Sequence, residues 1–170
     1  MIRLATPADG ARLAEIYAPA VVGNGISFEL EPPDGAEMAR RVGYVTTRTP
    51  WLVCEHRGTV AGYAYAGRFR DRAAYDWSVE VSAYVDPRLQ RRGIGRRLYL
   101  ALFEDLARRG YCSAYAGIAL PNEASIALHR SVGFTPCGVF HKVGRKFGRW
   151  HDVAWFERAL REEPAEPGTS

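Results

Sequence analysis

The chain has 170 residues, 47% of them apolar, enough to bury one substantial core and short for two ordinary domains. Its net charge of +4 is mild: it suits an anionic cofactor or substrate as well as nucleic acid, and decides between them in neither direction. Cys54, Cys112 and Cys137 are odd in number and far apart, which excludes a disulfide framework or a cysteine-based metal site and fits a reducing cytoplasm.

Ile2 to Ala5 reads as a short first strand that enters a folded pattern directly, and no apolar run is long enough to span a membrane, so secretion and insertion are not expected. Thr6-Pro7-Ala8-Asp9 offers an N-cap, a proline for the first turn and an early acid, opening a helix to about Val22 that Gly23-Asn24-Gly25 ends. A second, polar helix spans Asp34 to about Thr46. Trp51 to Glu55 and Val60 to Ala66 form a hairpin turning at Arg57-Gly58, and an arginine-rich, aromatic loop follows from Gly67 to Trp77. A central strand covers Ser78 to Asp86, and a helix runs from Ile94 to a glycine stop at Gly110. A strand at Tyr111 to Ala119 leads to a helix begun by Pro121-Asn122-Glu123 and stopped by Gly133. Phe134 to Val143 and Trp150 to Arg158 are the last strands, joined through Gly144 to Arg149. Residues 1–161 form one domain in this reading, and 162–170 a disordered tail.

The informative stretch joins the central strand to its helix: Gln90-Arg91-Arg92-Gly93-Ile94-Gly95. Glycines there let backbone N–H groups close around phosphate oxygens, and the helix N-terminus carries partial positive charge. Arg91, Arg92, Arg96 and Arg97 add formal charge. The stretch lacks the full dinucleotide fingerprint and the Lys-Ser/Thr ending of a nucleotide P-loop. A basic strand-to-helix turn that merely requires glycine is the competing explanation.

The spelling Tyr84-Val85-Asp86-Pro87-Arg88-Leu89-Gln90-Arg91-Arg92-Gly93-Ile94-Gly95 resembles the acetyl-CoA-binding motif of the GCN5-related N-acetyltransferases (GNAT). Trp51-Leu52-Val53, residues 61–67, Ala74-Tyr75-Asp76-Trp77, Leu120-Pro121-Asn122 and Gly148-Arg149-Trp150-His151-Asp152-Val153 are similar to the phosphinothricin and methionine sulfoximine acetyltransferase branch. The resemblance implies an α/β (α+β) acyl-CoA N-acyltransferase fold, a mixed twisted sheet of about seven strands flanked by four helices. It implies acetyl transfer from acetyl-CoA, without a metal, to the α-amine of a small amino-acid-like acceptor, in a homodimer. No nucleic-acid or membrane partner is expected.

The resemblance also distributes roles. Glu80 falls where the branch carries its catalytic glutamate, and amine acetylation needs a proton acceptor. Tyr84 and Val85 would bond the pantetheine arm, with the Val85 N–H facing the oxyanion. Gln90, Arg91, Arg92, Gly93, Ile94, Gly95, Arg96 and Asn122 would hold the rest of the cofactor, Asn122 being otherwise an ordinary helix cap. His129 stands in His-x-x-x-Gly-Phe where the wider superfamily often has tyrosine; acid, base and positioner all remain open for it. Arg70, Asp71, Arg72 and Tyr75 are the expected acceptor wall, since arginine forks onto carboxylate or phosphinate, and the segment from Lys142 to Trp150, also similar to the branch, is expected to help form the pocket, across a dimer interface. His151 and Asp152, adjacent on a strand, point to opposite faces and read as structural, and Cys112 and Cys137 are set aside as acetyl carriers. Acetylation of a protein N-terminus, polyamine or aminoglycoside, and a non-catalytic acetyl-CoA-binding module, are the alternatives.

Overall fold

The computed structural model describes residues 1–162; apart from Glu162, the tail expected over 162–170 lies outside the described residues. In chain order the elements are β1 (Ile2–Leu4), α1 (Gly10–Val21), α2 (Gly35–Val45), β2 (Trp51–His56), β3 (Thr59–Arg68) and β4 (Ser78–Val85). Then come α3 (Ile94–Arg108), β5 (Ser113–Ala119), α4 (Glu123–Ser131), β6 (Thr135–Lys146) and β7 (Arg149–Ala159). One mixed seven-stranded sheet runs β1-β2-β3-β4-β5-β7-β6. All neighbours pair antiparallel except β4 and β5. The expected mixed sheet with four helices is the fold observed.

Strand alternation sorts the core into two layers. Leu52, Cys54, Val79, Val81, Ala114, Ala116, Ala154 and Phe156 face α3, whose Ile94, Leu98, Tyr99, Leu102, Phe103 and Leu106 recur at helical spacing. Trp51, Val53, Val60 and Tyr63 face the other way, under Leu13, Ile16, Tyr17, Val21, Met38 and Val42 of α1 and α2. Strand β2 is buried on both faces, so its start reads as an unbroken apolar run. Truncating a fully buried side chain such as Leu98 or Leu102 to alanine would cost about 2–5 kcal/mol.

Most boundaries fall within two residues of expectation, and two elements differ in a way that has a physical cause. The first helix opens as a 3₁₀ turn at Pro7–Asp9 before α1 begins. The Asp9 carboxylate accepts from the Thr6 N–H at 2.8 Å and from Arg3 at 2.8 and 2.9 Å, which holds that turn tight. The last hairpin is longer than expected, pairing through Lys146 and Arg149 so that only Phe147 and Gly148 connect the strands. An irregularity between Phe140 and Gly144 absorbs the glycine that had read as loop, and Asp152 holds it by accepting from Lys142 N–H at 2.8 Å.

Candidate active site

The parallel pair β4–β5 is registered only from Ser78–Ser113 to Glu80–Tyr115. Beyond that point the two strands part, although β4 stays paired with β3 to Val85 and β5 stays paired with β7 to Ala119. A wedge therefore opens in the middle of the sheet. The Asp86 N–H donates to Ala61 O at 2.9 Å on the β3 side. Alternation along the strand then turns the Val85 and Ala83 peptide groups into the wedge and those of Tyr84 toward Tyr63. Of the two residues named for a pantetheine arm, Val85 has the free peptide; Tyr84 borders the wedge while its ring packs edge-on to Tyr17 at 4.8 Å.

At the wide end of the wedge lies the cradle. Gly93 caps α3 with φ 73°, a left-handed conformation that glycine adopts without strain, and Arg91 shares it with φ 61°. Gly95 sits so close to α4 that a Cβ would lie 3.0 Å from Leu128. Gln90, Arg91, Arg92, Arg96 and Arg97 are exposed around the helix N-terminus, and Ile94 is buried beneath it. Asp86, at the strand's end, is 3% exposed and braced by ion pairs to Arg12 and Arg88, which hold its carboxyl well below the usual carboxylate range. That brace fixes where the loop departs from β4. Unpaired N–H groups, a helix N-terminus and clustered guanidinium groups fit a pyrophosphate.

Along the wedge runs a channel of about 60 Å³ bordered by Ile26, Ser82, Tyr84, Tyr99, Asn122 and His129. Asn122 caps α4 by accepting from Ser125 N–H at 3.1 Å, which leaves its amide NH₂ available. His129 is 6% exposed. Its Nδ1 lies 2.7 Å from Ser125 O, an atom that can only accept, so Nδ1 carries the proton and Nε2 is the acceptor for the Tyr99 hydroxyl at 3.0 Å. Burial lowers the His129 pKa and raises that of the fully buried Tyr99, so both are neutral at neutral pH.

Glu80 lies at the narrow end, where the strands begin to part. It points away from α3, on the same sheet face as Ser82 and Tyr84. Burial raises its pKa, with the charge of Arg70 pulling the other way. Around it, Phe69 stacks on Tyr115 at 4.5 Å, and the Arg70 guanidinium lies 4.2 Å over Phe69 and 5.8 Å from the Trp155 ring. Tyr75 meets Phe69 edge-on at 5.8 Å. The loop thus brings the exposed Arg70 and Tyr75 against Phe69, whereas the equally exposed Asp71 and Arg72 make no side-chain hydrogen bond or ion pair among the described residues. The Trp155 Nε1–H is buried without an acceptor, a donor left over beside Arg70.

A larger cavity of about 110 Å³ sits under α2, walled by Tyr17, Arg41, Trp51, Tyr63 and Tyr65. Burial raises the pKa of Tyr17, Tyr63 and Tyr65 there, and Arg41 is held by Glu29 and Glu37, so none of these four exchanges protons near neutrality. Among the described residues no three His, Cys, Asp or Glu side chains gather as metal ligands. All three cysteines are free, and burial raises the Cys137 pKa, away from nucleophilic thiolate. Asp152 serves the hairpin, with His141 Nδ1 at 3.2 Å, and His151 packs against Phe28, consistent with structural roles for both.

Tyr99, Tyr115, Trp155 and Ile26 were not singled out by the sequence. Tyr115 and Trp155 become visible only once the β4–β5–β7 register is known, which sets Tyr115 beside Glu80 and Trp155 beside Gly117. Tyr99 reads as one more core position of α3.

Comparison with known proteins agrees with this geometry. Residues 2–155 match the model of the acetyltransferase (GNAT) domain. The chain is 41% identical over 166 residues to the phosphinothricin N-acetyltransferase of Streptomyces viridochromogenes, covering 98% of this chain and 90% of that one. It is 38% identical over 170 residues to the L-methionine sulfoximine/L-methionine sulfone acetyltransferase of Salmonella typhimurium, covering 96% of each. The crystal structure of a phosphinothricin acetyltransferase from Sinorhizobium meliloti in complex with acetyl-CoA superposes with a TM-score of 0.91 at 37% identity, over 99% of this chain and 95% of that one. With a splayed parallel pair, a cradle at the head of α3 and a match along nearly its whole length, the chain belongs to the GNAT acetyltransferase family.

Proposed function

We propose that the protein is an acetyl-CoA-dependent N-acetyltransferase acting on the α-amine of a small amino-acid-like acceptor of the phosphinothricin, methionine sulfoximine or methionine sulfone type. The observation that carries this is Glu80, a half-buried carboxylate with a raised pKa, standing where the wedge opens and beside the unpaired cation of Arg70. Similarity to acetyltransferases of those substrates supports the acceptor class.

In this mechanism the cradle and the exposed arginines 91, 92 and 96 hold the pyrophosphate, Asn122 bonds the arm, and the wedge edge at Val85 pairs with it as an added strand. Arg70 and Trp155 Nε1–H orient the acceptor's anionic groups. Glu80 takes the ammonium proton, directly or through a water, and the freed lone pair attacks the thioester carbonyl. The Val85 N–H faces the oxyanion; as it collapses, the C–N bond is kept, the C–S bond breaks, and the proton that the attacking nitrogen sheds balances the one the leaving thiolate takes up. His129, neutral and held by Ser125, positions the Tyr99 hydroxyl at that end of the channel.

A homodimer belongs to the same proposal. The exposed Val139, Phe140, Val143, Phe147 and Trp150 of the last hairpin support it, and sedimentation would test it. A reducing, cytoplasmic setting is supported by the three free cysteines.

The test is release of CoA thiol from acetyl-CoA with phosphinothricin, methionine sulfoximine, methionine sulfone, polyamines and peptides offered in parallel. Saturable release with the first three is the expected result. Turnover of a peptide or polyamine alone would overturn the acceptor class, and tight acetyl-CoA binding with no turnover of any amine would make the protein a binding module.

A further inference from the structure

We infer that Lys146, far from the reacting atoms in sequence, is a positioning residue for the acceptor side of the channel, acting by clamping loop 22–31 onto the last hairpin. Lys146 is 2% exposed, although it lies near the tip of a hairpin that is otherwise largely exposed. Its Nζ donates to Val21 O at 2.6 Å and to Ser27 O at 2.7 Å. Val21 ends α1, so the ammonium meets the negative end of that helix and satisfies one of its orphan carbonyls. No carboxylate is ion-paired with it among the described residues; Glu29, whose charge reaches it, is itself paired with Arg41. Besides the two carbonyls it has only the Phe147 ring, 5.0 Å away, as a close partner, and a buried cation held in this way fixes the position of the chain that supplies the carbonyls.

Two further contacts join the same pieces. A Cβ on Gly144 would lie 2.3 Å from the Phe28 ring, and one on Gly25 would lie 2.5 Å from the His151 ring. The loop and hairpin therefore approach at glycine distance at the Gly144–His151 cross-strand pair, two residues from the lysine. The opposite side of the loop is tied to the helices, where Ser27 Oγ meets the Tyr17 hydroxyl at 2.6 Å and Glu29 pairs with Arg41 at 2.6 Å. Between these anchors, Ile26 borders the channel together with Ser82 and Tyr84, which share the sheet face of Glu80. The cradle is built on different elements, so loosening the loop reaches the acceptor side first.

The inference rests on the proposed acetyl transfer only for its kinetic consequence; the clamp itself is read without turnover. In Lys146→Met, which keeps the length and loses the charge, amide hydrogen exchange of residues 22–30 is expected to rise at least tenfold with α3 unchanged. The KM for methionine sulfoximine is expected to rise about tenfold, and the dissociation constant of acetyl-CoA to stay within twofold. Gly144→Val, which presses on the Phe28 ring and leaves the lysine in place, is expected to give the same split. If exchange in the loop does not change in either variant, the clamp is wrong. If acetyl-CoA affinity falls in step with the acceptor's, the effect is general destabilisation and the positioning role is overturned. A wild-type protein that turns over no amine would refute the proposed function, while the exchange comparison would still decide the clamp.

Discussion

In the proposed site, residues 85–96 supply most of the cofactor side of the cleft from one stretch of chain, with Asn122 added, whereas the acceptor side would gather Ile26, Arg70, Tyr115 and Trp155 from four separate segments. On the first side the machinery is mainly backbone: left-handed turns at Arg91 and Gly93, the head of α3, and the free edge of β4. On the second it is side chains held by sheet register and by stacking of Phe69 on Tyr115. A backbone device can serve any acyl-CoA, while a side-chain wall can be respecified one residue at a time. Glu80 stands at the junction, on the strand that both sides share.

The largest separation between the two sides is expected at that junction. Glu80→Gln keeps size and polarity but cannot accept a proton, so kcat should fall about 10²- to 10³-fold, in line with general-base contributions. Titration calorimetry should show acetyl-CoA binding unchanged, because the cradle lies on α3 and its preceding loop. A variant with wild-type kcat would remove Glu80 from the mechanism. A smaller loss is expected from His129→Leu, which leaves the buried Tyr99 hydroxyl without its acceptor. A buried polar group left unpaired costs ~1–3 kcal/mol, a factor of about ten to a hundred in kcat if the hydroxyl serves the transition state. The same loss appearing only as a lower melting temperature would make the pair purely structural.

Arg70 sharpens the comparison through pH. A base works only when deprotonated, so kcat/KM should rise with pH through the Glu80 pKa, on a limb lying above the usual carboxylate range because burial raises that pKa. Arg70 opposes this rise, and its removal in Arg70→Met should move the limb to still higher pH. His129, held neutral by burial, should add no limb in the ordinary imidazole range. A limb that stays in place when Arg70 is lost would mean that the arginine does not feel the reacting carboxylate.

How much of this was legible follows the same division. The Gln90–Gly95 stretch, Asn122 and the order of strands and helices lie in local patterns of glycine, caps and alternation, and the structure keeps them within a residue or two. Of the proposed acceptor wall, Arg70 and Tyr75 lie against Phe69 in the loop whose composition pointed to them, with Asp71 and Arg72 exposed beside them. Tyr115 and Trp155 were hidden because their neighbours are set by the pairing of β4, β5 and β7, not by adjacent residues. Lys146 was legible only as one residue of the segment from Lys142 to Trp150, because its burial depends on the docking of loop 22–31.

The smallest expected effect lies among the exposed arginines and tests whether the cofactor side is indeed a backbone device. Arg96 is exposed in the first turn of α3, and Arg91, Arg92 and Arg97 stand around it without ion pairs among the described residues. An exposed guanidinium contributes only ~1 kcal/mol to an anion, so Arg96→Ala should raise the acetyl-CoA dissociation constant about fivefold. The deficit should shrink as salt screens the remaining charges, whereas the affinity supplied by backbone N–H groups at the helix head should persist. Calorimetry at low and high ionic strength separates the two contributions. A loss of a hundredfold or more, equally deep at high salt, would mean that Arg96 makes a desolvated, forked contact with the pyrophosphate, and that the cradle depends on this side chain as heavily as the acceptor side depends on its own.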